Sequence, residues 1–217
     1  MVYNYCFDAR KLKLDDFKDF INILKTEELK KFNSFKVTSR KIEFLVGRLM
    51  TRYFFKLYLC NNYKDIEILY SDHGKPYCND NFYFNISHSK GVIVFSFSFL
   101  NPVGVDIEYI DNICDKYTLS IFTENERNLL EDNVTKEISY IYFWTLKEAL
   151  VKAFGMGFTI LPNKLDTTNV RFNNELYSKE TYFLESYIVT IVSRNGKKND
   201  DFSKLYTIDL DDIRNTL

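Results

Sequence analysis

Residues 84–108 read FNISHSKGVIVFSFSFLNPVGVDIE, and the fold turns on how this stretch divides. From Val92 to Phe99 nearly every side chain is apolar, and Val103 to Tyr109 keeps the same β-branched and aromatic character. Two strands are expected, with Asn101-Pro102 as the turn of an antiparallel hairpin between them. A strand sends successive side chains to opposite faces, so Asp106 and Glu108 project together while Ile107 points into the core. Two carboxylates then share one small volume. Unpaired they repel and one tends to keep its proton, whereas a divalent cation favours both ionised forms, and oxygen ligands suit Mg²⁺. The three-residue pattern alone is common, and its plainer reading is a solvated strand end.

Outward from this stretch, β-type patterns also cover Phe82 to Ile86 and Glu67 to Tyr70. Toward the N-terminus, Val2 to Ala9 reads as a strand, Asp15 to Leu24 and Glu27 to Phe32 as short helices, and Ser39 to Leu59 as a long amphipathic helix capped by Thr38 or Ser39. Toward the C-terminus, Thr123 with Glu126 three residues on forms a capping box, and Lys136 to Phe154 is a second long helix ended by Gly155 and Gly157. Val170 to Asn173, Leu184 to Ser193 and Leu205 to Leu210 read as closing strands, with a polar loop from Gly196 to Asp201. The order predicts an α+β protein of two similar halves, 1–101 and 102–217, although no residue-level repeat and no Pro- or Gly-rich linker marks the boundary. The halves are therefore expected to pack closely, with a ligand site in the cleft between them.

Composition narrows the function classes. The 217 residues are 46% apolar and 17% aromatic with a net charge of −1, which argues for a packed core and against a field suited to nucleic acid. Cys6, Cys60, Cys78 and Cys114 are scattered and form no metal or disulfide pattern, so reduced thiols in the cytoplasm are expected. No basic region followed by an apolar run opens the chain, and no stretch approaches the ~20 apolar residues of a membrane span. A soluble monomer with neither a membrane nor a nucleic-acid partner is the expectation.

The chemistry gathers around a second motif, Phe143-Trp144-Thr145-Leu146-Lys147-Glu148-Ala149-Leu150-Val151-Lys152. On a helix, Trp144, Glu148 and Lys152 fall on one stripe. An i,i+4 Glu-Lys pair is usually a surface ion pair, but here it emerges among Phe143, Leu146, Ala149, Leu150 and Ala153, and buried charge is costly unless paired or bound to an ion. Glu148 beside Asp106 and Glu108 would complete a three-carboxylate Mg²⁺ site. The only two histidines, His73 and His88, lie in short polar motifs next to strands. Lys75 is a cation on a rigid turn, suited to phosphate or simply solvated, and Ser87 and Ser89 place hydroxyls on either side of His88. Cations at Lys75, His88 and Lys152 with these three acids match the needs of a Mg²⁺-bound pyrophosphate ester.

Four motifs in this order, His73 to Pro76, Phe84 to Ser89, Gly104 to Glu108 and Phe143 to Lys152 followed by Gly155-x-Gly157, resemble the 4′-phosphopantetheinyl transferases of the larger, pseudo-dimeric type that activates peptide and polyketide synthases. They span about a third of the chain. The resemblance implies two α+β halves with coenzyme A in the cleft between them, Asp106, Glu108 and Glu148 on Mg²⁺ (Mn²⁺ being the alternative), and His88 and Lys152 on the diphosphate. Arg40, Lys75 and Ser87 would reach the 3′-phosphoadenosine end. It further implies transfer of 4′-phosphopantetheine to a serine of an acyl or peptidyl carrier protein, in peptide, polyketide or fatty acid biosynthesis, with release of 3′,5′-adenosine bisphosphate. Glu148 would take the serine proton directly or through a metal-bound water, with Lys152 and His88 assisting. Lys25, Lys30 and Lys31 stay unassigned, and no motif is matched after Leu161.

Two other classes fit parts of the pattern. A metal-dependent phosphodiesterase or pyrophosphatase accounts for the acids alone, without the two histidine motifs. A non-catalytic carrier-binding module would be expected to have lost an acid, and all three are present. Tyr117, Leu119, Ile121 and Phe122, in the segment Ile113 to Leu130, are expected either to dock a carrier helix or to close the core.

Overall fold

The computed structural model describes residues 1–59, 66–78, 82–110, 118–131, 136–169, 171–172, 175–194 and 201–217. Strand β1 (Val2–Asp8) leads through a 3-10 segment (Leu14–Ile23) into helices α1 (Thr26–Ser34) and α2 (Thr38–Leu59). Short strands β2 (Leu69–Tyr70) and β3 (Pro76–Tyr77) precede β4 (Tyr83–Ser89), β5 (Val92–Ser98) and β6 (Val103–Tyr109). Helices α3 (Glu124–Glu131) and α4 (Lys136–Phe154) follow, then β7 (Arg171–Phe172), β8 (Glu175–Phe183), β9 (Tyr187–Arg194), β10 (Phe202–Thr207) and α5 (Leu210–Thr216). Two four-stranded sheets result, in the orders β10-β1-β5-β4 and β6-β9-β8-β7. The protein is thus mixed α+β with a sheet in each half.

The expected hairpin between the strands at 92–99 and 103–109 does not form. β5 pairs with β4 on one side and β1 on the other, and β6 pairs with β9 in the second sheet. The turn that makes the real hairpin is Lys90-Gly91, with φ of +43° and +81°, a two-residue loop of the hand that suits strand twist. Both edges of β5 are then occupied, so Asn101-Pro102 carries the chain from one sheet to the other. β5 is buried throughout, and apolar except at Ser96 and Ser98, because both its faces are covered. Ile93, Phe95 and Phe97 join Leu45, Leu49 and Phe54 of α2 in one core, while Val92 and Val94 meet Val103, Val105 and Ile107 in another.

Helix α4 matches its expected limits and lays Leu146, Ala149, Leu150 and Ala153 on the second sheet beside Val192 and Tyr177. The capping box also forms: the Thr123 N–H donates to Glu126 at 2.8 Å, and the Glu126 N–H to Thr123 Oγ1 at 3.3 Å. The end of the chain differs from expectation. The strand read at 205–210 is β10 at 202–207, parallel to β1 in the first sheet, and α5 behind it drives Leu210 and Ile213 into the α2 core. β8 fills a region where no strand is expected. Cys6 and Cys78 are free thiols, while Cys60, Cys114, Ile113, Tyr117, Val170 and Asn173 lie outside the described residues. No described helix is long and apolar enough to cross a membrane.

Candidate active site

β4 and β6 are edge strands of different sheets, and they run side by side. An open edge strand leaves every second backbone N–H unpaired. Here polar side chains on β4 take them: the Val105 N–H donates to Asn85 Oδ1 at 2.9 Å and the Tyr109 N–H to Ser89 Oγ at 3.2 Å. Ser87 and Ser89 also donate to Asp106 Oδ1 (2.9 Å) and Glu108 Oε2 (3.2 Å). The Asn-x-Ser-x-Ser pattern thus laces the two sheets together and orients both carboxylates. Behind them β6 lies directly on α4 at Gly104, where a Cβ would come within 2.0 Å of the Ala149 carbonyl oxygen and 2.4 Å of the Ala153 nitrogen. Only glycine permits that approach.

This packing brings the expected acids together. Asp106 is 4% exposed, and its Oδ1 accepts from Lys152 Nζ at 2.6 Å, while Oδ2 is buried without a hydrogen-bond partner among the described residues. Lys152 Nζ lies 3.2 Å from Ser87 Oγ and 4.0 Å from Glu148. Burial pushes the Glu148 carboxyl up; Lys152 opposes this, and Asp106 and Glu108 add to it. Burial, then Asp106, pushes Glu108 up as well, against hydrogen bonds from Ser89 and Trp144. Among the described residues no three His, Cys, Asp or Glu side chains are grouped so that they could hold a metal ion as they stand. The chemistry of the donor set nonetheless suits a hard divalent cation: carboxylate oxygens, one of them buried without a hydrogen-bond partner among the described residues, and two carboxyls whose ionisation the site otherwise opposes.

His88 and Arg40 meet at the other end of the acids. Arg40 Nη1 lies 3.2 Å from His88 Nδ1 and from Glu43 Oε2, and His88 Nδ1 is 3.3 Å from the same Glu43 oxygen. A guanidinium only donates and a carboxylate only accepts, so Nδ1 accepts from Arg40 in one tautomer and donates to Glu43 in the other. Burial holds the imidazole below its usual range; Glu43 opposes this, while Arg40 and Lys152 reinforce it. Charge on this imidazole is thereby less favourable than on an exposed histidine. A cavity of about 450 Å³ opens here, lined by Arg40, Arg48, Pro76, Ile86 and His88 among others. A neighbouring cavity of about 250 Å³ shares Pro76 and Ile86 with it and reaches Glu148, Lys152 and the positive-φ glycines Gly155 and Gly157.

Two residues expected at the nucleotide end point elsewhere. The Ser87 hydroxyl is turned to Asp106, and the Lys75 ammonium donates to the carbonyls of Lys152 (2.6 Å), Val103 (3.0 Å) and Ala153 (3.4 Å). Lys30 pairs with Glu27, and Lys31 lies over the Phe35 ring. Phe122 is fully buried against Leu130, Tyr140 and Phe143, so its side chain closes a core and offers no surface to a partner. Sequence reading assigned no role to Asn85 or Glu43. The alternation of Asn85 with Ser87 and Ser89 along a strand was the available signal for the first.

A sequence model described as 4′-phosphopantetheinyl transferase, N-terminal, matches residues 12–98, and one described as the 4′-phosphopantetheinyl transferase superfamily matches residues 102–194. The chain belongs to the 4′-phosphopantetheinyl transferase superfamily. The two matches meet at the Asn101-Pro102 crossing between the sheets. Among curated relatives, the chain is 35% identical over 118 residues to 4′-phosphopantetheinyl transferase gsp of Aneurinibacillus migulanus (54% of this chain, 49% of that one). It is 30% identical over 149 residues to 4′-phosphopantetheinyl transferase HetI of Nostoc sp. (64% and 63%) and 28% over 154 residues to psf-1 of Bacillus pumilus (69% and 64%). The chain thus spans between about half and just under two thirds of these relatives.

Proposed function

We propose that this protein transfers 4′-phosphopantetheine from coenzyme A to a serine of an acyl or peptidyl carrier protein, with Mg²⁺ as the metal. The observation that carries this reading is the convergence of Asp106, Glu108, Glu148 and Lys152, with His88 and Arg40 beside them, along the seam between β4 and β6, which lie in the two segments that match 4′-phosphopantetheinyl transferase models. Coenzyme A would lie in the cleft formed by the two adjoining cavities, between halves divided near residue 101 in a pseudo-dimer. The protein would act as a monomer.

Asp106, Glu108 and Glu148 would hold Mg²⁺, which would supply positive charge to the diphosphate and its leaving group. The chain's own residues account for the rest. Lys152 carries charge to the same place, and His88 would offer a ring N–H to a phosphate oxygen. The serine oxygen forms the new bond to the phosphorus nearer pantetheine, the bond to the adenosine bisphosphate oxygen breaks, and the serine proton passes to Glu148. Burial and its acidic neighbours raise the Glu148 carboxyl, which makes it a better proton acceptor. Arg40 would reach the 3′-phosphoadenosine end. The test is incubation with coenzyme A, Mg²⁺ and a panel of apo carrier proteins, read by mass. A phosphopantetheine adduct on at least one carrier is expected; release of phosphopantetheine without any adduct would make the protein a hydrolase.

A further inference from the structure

Lys75 stands apart from the other cations of the site. Its ammonium has three N–H donors, and three carbonyl oxygens lie within reach, those of Val103, Lys152 and Ala153. Val103 opens β6, the strand that carries Asp106 and Glu108. Lys152 and Ala153 belong to the last turn of α4, the helix that carries Glu148 and Lys152, where carbonyls lack i+4 helical partners, the Lys152 carbonyl accepting from the Gly155 N–H at 3.3 Å, and the helix dipole is negative. Lys75 itself comes from the other half, on a turn fixed by the Ser71 N–H to the Lys75 carbonyl (2.9 Å) and by the Lys75 N–H to Ser71 Oγ (3.1 Å). Burial pushes its ammonium down to about 8, and Arg194 of β9 pushes the same way, so the group sits in a place poor for charge and rich in acceptors.

We infer that Lys75 is a positioning residue that clamps the end of α4 to the start of β6 and so fixes the distance between Glu148 and the Asp106–Glu108 pair. A lysine serving a phosphate needs its charge; a lysine serving carbonyls needs its N–H groups. The two roles separate by substitution. Lys75→Met removes both charge and donors, and Lys75→Gln keeps two N–H donors without the charge.

The inference rests on the proposed transferase reading for its kinetic arm and on nothing but the fold for its second arm. In the kinetic arm, Lys75→Met lowers kcat about ten- to a hundred-fold with the KM for coenzyme A held within about threefold, and Lys75→Gln recovers much of the loss. A raised KM at unchanged kcat, or a Gln variant no better than Met, overturns the clamp in favour of phosphate binding. In the second arm, amide hydrogen exchange on the ligand-free protein is faster in both variants at residues 150–156 and 103–105, and less so for Gln than for Met. Unchanged exchange there overturns the inference. Should the wild-type protein modify no carrier, the transferase reading falls while the exchange measurement still decides the clamp, and a Met variant that does not fold leaves the Gln variant to report in both arms.

Discussion

At the scale of single residues the site is held in tension, and two side chains make the tension measurable. Burial, Asp106 and Glu108 all disfavour charge on Glu148, with Lys152 alone among these opposing them. Glu148→Gln should therefore cost about 10²–10⁴-fold in kcat through loss of the proton acceptor and leave the melting temperature at pH 7 unchanged or raised. A lowered melting temperature would show the carboxylate to be a structural anchor instead. His88 gives a pH signature. Its folded-state pKa lies below the ordinary 6.5, so as pH falls through that value the unfolded chain takes the proton first. Stability is then lost progressively below pH 6.5, while nothing is gained or lost above it. The melting temperature of the wild type minus that of His88→Gln should shrink from pH 7.5 to pH 5.5; a constant difference would mean that the imidazole is not held neutral. The identity of these residues was legible in the sequence because strand alternation and helical spacing place them. Their protonation was not, because the Arg40–His88 contact joins positions 48 residues apart.

At the scale of elements, local signals were reliable and pairing was not. α4 and the Thr123–Glu126 box matched their expected limits since each is encoded within a few residues. The β5–β6 hairpin failed because Asn101-Pro102 signals only that the chain turns, and the partner of a strand depends on which edges are already taken. α3 and α4 are joined by a buried pair, Glu126 and Lys147 at 2.7 Å, with Lys147 also donating to the carbonyls of Pro162 and Leu165. Phe122 fills the core above that pair. Phe122→Ala should lower stability by about 3–5 kcal/mol by leaving a cavity and leave the KM for the carrier unchanged; a raised carrier KM at an unchanged melting temperature would restore the docking role. Gly104 ties the other side of α4 to β6. The carbonyl and amide that a Cβ would meet are both backbone, so Gly104→Ala must part the strand from the helix. A loss at or beyond the upper end of about 1–3 kcal/mol is expected, together with loss of transfer, and a stable, active variant would contradict the close approach.

At the scale of the whole molecule, the chain does not divide at one point into two independent bodies. Residues 202–217 return to the first sheet, where β10 pairs with β1 and Ile213 is fully buried in the α2 core. The side-chain lacing of β4 to β6 and the valine core between the sheets bind the halves from within. A mixed α+β chain with a sheet in each half was legible in the order of helices and strands; this return was not, because a parallel pairing between the two ends of a chain leaves no local mark. Cooperative unfolding follows from such interlocking. Trp144, the single tryptophan, sits on α4 against the second sheet and reports on that half, whereas Ile213 lies in the first. Ile213→Ala should cost about 2–5 kcal/mol, and because the halves share strands, seam and core, the Trp144 fluorescence transition should move down together with the far-ultraviolet circular dichroism transition. If fluorescence kept its wild-type midpoint while circular dichroism split into two steps, the halves would be separate folding units, and the seam that carries Asp106 and Glu108 would be an interface between domains.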